Sequence, residues 1–79
     1  MTKDQIIHLT NAFFCDKLGF EAYQINHEAE LKRDLGISSV DAMAIASFAQ
    51  KTFNCPIILP EIKALVTMED LYDYIENHS

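Results

Sequence analysis

The sequence predicts an all-α fold: a four-helix bundle with three longer helices, one short helix, and a long loop between the first and second. Three observations predict it. Apolar residues recur at three- and four-residue spacing in three separate stretches, the helical period rather than the alternation of a strand. Each stretch is preceded by Thr or Ser with Gln or Asp three positions on, at Thr2–Gln5, Ser38–Asp41 and Thr67–Asp70, the reciprocal pattern that caps a helix N-terminus. The glycines and prolines, two of each, fall between the stretches, at Gly19, Gly36, Pro56 and Pro60.

The first helix is expected from about Asp4 to Leu18, with Thr2 as its cap. Ile6, Leu9 and Phe13 lie on one side, and Ile7, Phe14 and Leu18 widen the apolar stripe. Gly19 ends it, in a position that favours a left-handed residue. Phe20 to Ile37 carries no strong period and reads as a loop pinned by Ile25, Leu31 and Leu35, with Glu28–Arg33 as a turn of helix. The second helix is expected from Ser39 to Phe53. Its buried side groups Ala42, Ile45, Ala46, Ala49 and Phe53; its outer side carries Val40, Ala44, Ser47, Phe48 and Lys51, with Met43 on the flank. That outer side is apolar for a solvated face and suggests a docking surface; the other reading is a helix buried on most sides.

Asn54-Cys55-Pro56 stops the second helix, and Ile57-Ile58-Leu59-Pro60 forms an extended apolar bridge. Pro60 to Leu65 is a short helix with proline in its first turn. Thr67 caps the last helix, whose inner face is expected from Met68, Leu71, Tyr74 and Ile75, ending near Asn77. No repeat or linker interrupts the 79 residues, so residues 1–79 read as a single domain.

Twelve acidic against six basic residues give a net charge of −6 at pH 7. This argues against a nucleic-acid or anionic-lipid partner and suits either partners with a basic docking surface or simple solubility. Cys15 and Cys55 form no CxxC pair and have no histidine at ligand spacing, so they read as reduced thiols. The N-terminus has no apolar leader, and no stretch approaches membrane-spanning length. The expectation is a cytoplasmic monomer, not inserted in a membrane.

Little self-contained catalytic chemistry is available. No HExxH, P-loop or GxGxxG motif is present, and His8, His27 and His78 fall on separate elements, so no metal site is expected. A Ser39–His27 hydrolase would need an enclosed, water-excluding pocket that four short helices do not offer. The serine pair is the residue set that stands out. Ser38, three residues before Asp41, is the helix cap. Ser39 then occupies the first helical position, where a negatively charged attachment lies at the favourable end of the helix dipole. A serine so placed, with no base to activate it, reads as one that another enzyme modifies.

In Asp34-Leu35-Gly36-Ile37-Ser38-Ser39-Val40 the chain resembles the acyl carrier proteins, whose D-L-G-x-D-S-L stretch carries the modified serine. The similarity extends over nearly the whole chain. Leu18-Gly19 corresponds to the end of the family's first helix, Ile25 and Leu31 to its loop anchors, Phe53 to the aromatic closing the second helix, and Thr67–Ile75 to the last helix. The resemblance implies the acyl-carrier type of bundle and a 4'-phosphopantetheine arm attached to Ser39 by a phosphopantetheinyl transferase. The arm ends in a thiol that holds an acyl or aminoacyl group as a thioester. The partners implied are acyl-loading and acyl-transferring enzymes such as ligases, ketosynthases or acyltransferases. It further implies a carrier rather than an enzyme, in fatty-acid, polyketide or related lipid metabolism; an aminoacyl carrier such as a D-alanyl carrier is the related alternative. In the family the chain can fold back between the second and third helices, and the lining candidates here are Ala42, Ile45, Ala46, Ala49, Ile57, Ile62 and Leu65. The alanines either leave room for a chain or let the helices approach closely.

Two departures from the family pattern matter. Ser38 replaces the aspartate, keeping the capping role through its hydroxyl, and Val40 replaces the leucine. Family members usually line the second helix with acids; here Asp41 stands alone, with Ala44, Gln50 and Lys51 where acids are expected. This predicts a specialised carrier whose docking rests on Val40, Met43, Ala44, Ser47 and Phe48 more than on charge. A helical interaction module that keeps the fold but takes no arm is the rival reading, supported by the altered D-S-L.

Overall fold

The computed structural model describes residues 1–79 and is all-helical, as the sequence predicts. Helix α1 spans Lys3–Lys17, α2 Ser39–Phe53, α3 Leu59–Ala64 and α4 Met68–His78, with a single 3-10 turn at Ala22–Gln24 in the long loop.

The start and stop of each long helix come from adjacent residues. All three capping boxes form: the hydroxyls of Thr2, Ser38 and Thr67 accept from the amides of Gln5, Asp41 and Asp70, and those three side chains accept back from the cap amides. Gly19 (φ 80°) closes α1, and the amide of Phe20 reaches back to the Phe14 carbonyl at 3.2 Å. Asn54 (φ 52°) closes α2 in the same way, with the Cys55 amide donating to the Ala49 carbonyl at 3.2 Å. In α3, where Ile58 has no capping hydroxyl, the Glu61 carboxylate accepts from the Ile58 amide at 3.0 Å.

The core joins Ile6 and Phe14 of α1 and Ala42, Ile45, Ala49 and Phe53 of α2. From α3 it takes Ile62, and from α4 Met68, Leu71, Tyr72 and Ile75. The loop anchors Ile25, Leu31 and Leu35 are buried with them, and so is Ala29. Two faces differ from the sequence expectation. On α4 the inward tyrosine is Tyr72, fully buried, while Tyr74 is half-buried and donates to Glu61 of α3 at 2.6 Å. Tyr72 fits the four-residue step from Met68, and its hydroxyl donates to Asn11 of α1. On α1 the buried line is Ile6–Thr10–Phe14, with Leu9 and Phe13 half-buried beside it.

The expected helical turn at Glu28–Arg33 sits two residues later. The amides of Asp34 and Leu35 bond to the Glu30 carbonyl. Gly36 at φ 62° then closes the turn through Gly36 N–Lys32 O and Ile37 N–Leu31 O bonds of 3.1 and 2.9 Å. The loop is also stitched to the start of α4. Glu30 and Thr67 form an isolated antiparallel bridge, and the Leu31 amide donates to the Val66 carbonyl at 2.8 Å. Met68 and Glu69 donate to the carbonyls of Ala29 and His27 at 3.0 and 3.1 Å. Glu69 further ion-pairs with Lys3 at 2.5 Å and His27 at 2.7 Å, joining α1, loop and α4. The loop therefore has a fixed path into α2.

Candidate functional site

The left-handed turn at Gly36 reverses the chain and delivers Ile37-Ser38-Ser39 to the head of α2. A side chain at Gly36 would meet no atom within 4 Å, so glycine is favoured there for its backbone conformation and not for space. Ser38 Oγ accepts from the Asp41 amide at 3.1 Å, and Asp41 Oδ2 accepts from the Ser38 amide at 3.2 Å. Both side chains of the box are thereby occupied in holding the helix start. Ser39, the first residue of α2, is exposed, and its hydroxyl makes no hydrogen bond to the protein. It stands free where the first helical amides point outward.

A cleft of about 310 Å³ opens beside it. The turn before α2 contributes Leu31, Lys32 and Ile37; α2 contributes Ser39 and Ala42 behind the Ser38 cap; and Ile62, Lys63 and Leu65 form the facing wall. Of the expected lining residues, Ala42, Ile62 and Leu65 are in this wall. Ile45, Ala49 and Ile57 are buried in the packed core instead, and Ala46 is half-buried at its edge. For Ile45, Ala46 and Ala49 the reason is distance along the helix: successive turns of α2 carry them away from Ser39, while Ile57 lies beyond the end of α2. Leu31 and Ile37, both from the loop, complete the apolar lining; the sequence gives no sign of this role because no periodic pattern contains them.

The facing wall is held by α4. The Tyr74 hydroxyl binds Glu61, which pushes the tyrosine up to about 12, and the same bond, with the Ile58 amide, holds the Glu61 carboxyl below its ordinary range. On the other side of the cleft, the Glu30 amide and the Arg33 guanidinium hold the Asp34 carboxyl down, fixing the turn that precedes Gly36.

The outward residues of α2 separate into two groups. Val40 is 75% exposed and Met43 61%, while Ser47 is exposed and Ala44 half-buried. Val40 and Met43 thus form an apolar patch next to Ser39. Phe48, expected among them, is half-buried: its ring stacks on Phe13 of α1 at 4.3 Å between centroids and meets Phe53 edge-on at 5.4 Å. The helix is rotated so that Phe48 closes the α1–α2 seam. No helix is long and apolar enough to cross a membrane.

A phosphopantetheine group fits what is present. It needs one accessible hydroxyl, an environment tolerant of a phosphodiester, and an apolar surface alongside. Ser39, the open amides of the first turn and the cleft supply these.

Comparison with known proteins agrees with the geometry. The family described as "Phosphopantetheine attachment site" matches residues 10–75, which includes the whole of the site. The acyl carrier protein of Porphyromonas gingivalis W83 is 35% identical over 63 residues, covering 80% of this chain and 81% of that protein. That of an Exiguobacterium species is 32% identical over 76 residues, covering 96% of each. The acyl carrier protein of Helicobacter pylori J99 is 30% identical over 67 residues, covering 85% and 86%.

Proposed function

The chain belongs to the acyl carrier protein family, and from that premise we propose that it holds an acyl group on a phosphopantetheine arm joined to Ser39 and passes it between partner enzymes. The observation that carries this reading is the free Ser39 hydroxyl at the first position of α2, in the wall of the cleft, and the resemblance of Asp34–Val40 to the family's D-L-G-x-D-S-L stretch supports the same serine.

The arm, when bound, supplies a terminal thiol that carries the acyl group as a thioester. This chain's own residues supply placement. Ser38 and Asp41 lock the first turn, so the Ser39 backbone is held in place and its free hydroxyl is presented to solvent. No titratable side chain hydrogen-bonds to that oxygen, so the base that takes its proton belongs to the phosphopantetheinyl transferase. The amides of the first turn offset the charge of the phosphodiester once it is in place.

Partner enzymes, such as ligases, ketosynthases or acyltransferases, dock on Val40, Met43, Ala44 and Ser47. Two large exposed apolar side chains beside the attachment point support an interface that leans on burial more than on charge. The same face, poor in acids, supports a specialised pathway of cytoplasmic acyl metabolism. The test is intact mass after co-expression with a phosphopantetheinyl transferase. A gain of one phosphopantetheine is expected, lost in Ser39→Ala and retained in Ser38→Ala. No gain with several transferases would leave the unmodified interaction module as the reading.

A further inference from the structure

The chain has six lysines and arginines against twelve acids, and the few cations are not scattered evenly. Lys3 is paired with Glu69 and Asp73, and Arg33 with Glu30 and Asp34. The four cations left without an acidic partner are Lys17, Lys32, Lys51 and Lys63, and two of those four line the cleft beside Ser39. Lys32 comes from the turn before α2 and Lys63 from α3, and both line the cleft that Ser39 also lines. No carboxylate lines this cleft; Asp41, the nearest acid in sequence, is turned back onto the Ser38 amide. In a chain of net charge −6, these are two cations in one cleft with no acid of the chain ion-paired to either.

We infer that Lys32 and Lys63 are an anion-holding pair for the phosphodiester at the foot of the arm, and that they lay the arm along the cleft instead of leaving it in solvent. The inference rests on the carrier reading, since the phosphodiester is there only if Ser39 is modified. A lysine ammonium is a compact point charge on a long stem, suited to reaching a phosphate without fixed bidentate geometry. With the phosphate held by the two lysines, the portion of the arm beyond it lies against Leu31, Ile37, Ile62 and Leu65. The lysines are then positioning residues, exposed and idle in the chain without the arm and engaged in the chain with it.

The experiment compares the melting temperature of the arm-free and arm-bearing protein, after mass has established whether one arm is present. In the parent at low salt the arm is expected to raise Tm by about 2–5 °C, the effect of two screened ion pairs in a domain of this size. At 1 M salt, where the Debye length is about 3 Å, the rise should shrink below about 1 °C. Lys32→Ala/Lys63→Ala should melt within about 2 °C of the parent without the arm, because neither lysine has a partner to lose, and should show no rise with it. Lys32→Arg/Lys63→Arg should retain the rise, and Lys51→Ala, with its charge in the last turn of α2, should leave it unchanged. The arm's phosphorus resonance should differ from that of the free arm in the parent and approach it in the double alanine variant. No rise in the parent, an equal rise in the double alanine variant, or a rise indifferent to salt overturns the inference and leaves the carrier reading standing. A chain that accepts no arm overturns both.

Discussion

Phe48 decides which way α2 is turned, and its truncation has a calculable result. The ring is half-buried, stacked on Phe13 and edge-on to Phe53. Truncating a fully buried phenylalanine costs about 3–5 kcal/mol, and a ring pair adds about 0.5–1.5 kcal/mol beyond its area. Half of the first figure with one lost stack gives about 3 kcal/mol for Phe48→Ala. In a domain of this size each kcal/mol moves Tm by about 4–8 °C, so the expected fall is about 12–24 °C. Met43→Ala on the same helix is the internal control: Met43 is 61% exposed, and surface truncations stay within about 0.5 kcal/mol. Thermal melts recorded by far-ultraviolet circular dichroism would read both. A Phe48→Ala variant melting within about 4 °C of the parent, one kcal/mol or less, would refute the reasoning. It would mean that the ring faces solvent and the α1–α2 seam is closed by something else.

Thr10 is completely buried and its hydroxyl has no partner, so Thr10→Val, of nearly the same shape, should stabilise the protein by about 1 kcal/mol in urea denaturation. Ser38→Ala removes the acceptor for the Asp41 amide and should cost about 1 kcal/mol, with Ser38→Asp restoring most of it in the same assay. Lys3 first and then His27 pull the Glu69 carboxyl down to about 2 from an ordinary 4.5. A carboxyl lowered in the folded state stabilises it above the unfolded value. Stability should therefore fall as pH drops from about 4.5 towards 2, and Glu69→Gln should flatten that part of the urea midpoint–pH curve.

The helix boundaries were legible because their causes are local. A hydroxyl bonds an amide three residues on, and a left-handed glycine closes the turn just behind it, so Thr2, Gly19, Ser38 and Thr67 mark their positions without reference to the rest of the chain. The position of Ser39 at the start of α2 was legible for the same reason, since it is set by Ser38. Which of several apolar side chains turns inward is not local. Tyr72 and Tyr74 lie two residues apart on α4, and Asn11 on α1 is what receives the former. Phe48 sits at the edge of the α2 stripe, and Phe13 draws it in. The cleft is less legible still. Leu31, Lys32 and Ile37 reach it only because the loop is stitched to residues 66–69, a set of backbone bonds that leaves no trace in side-chain periodicity.

The six-residue α3 gives the molecule an adjustable part. Ile62 is its single buried side chain, and one tyrosine–carboxylate bond moors it to α4. Its residues and Leu65 just beyond it nevertheless form a whole wall of the cleft. The three long helices, with their capped ends and shared core, are the frame. Exchanges at Lys63 or Leu65 would reshape the cleft wall while leaving that frame intact.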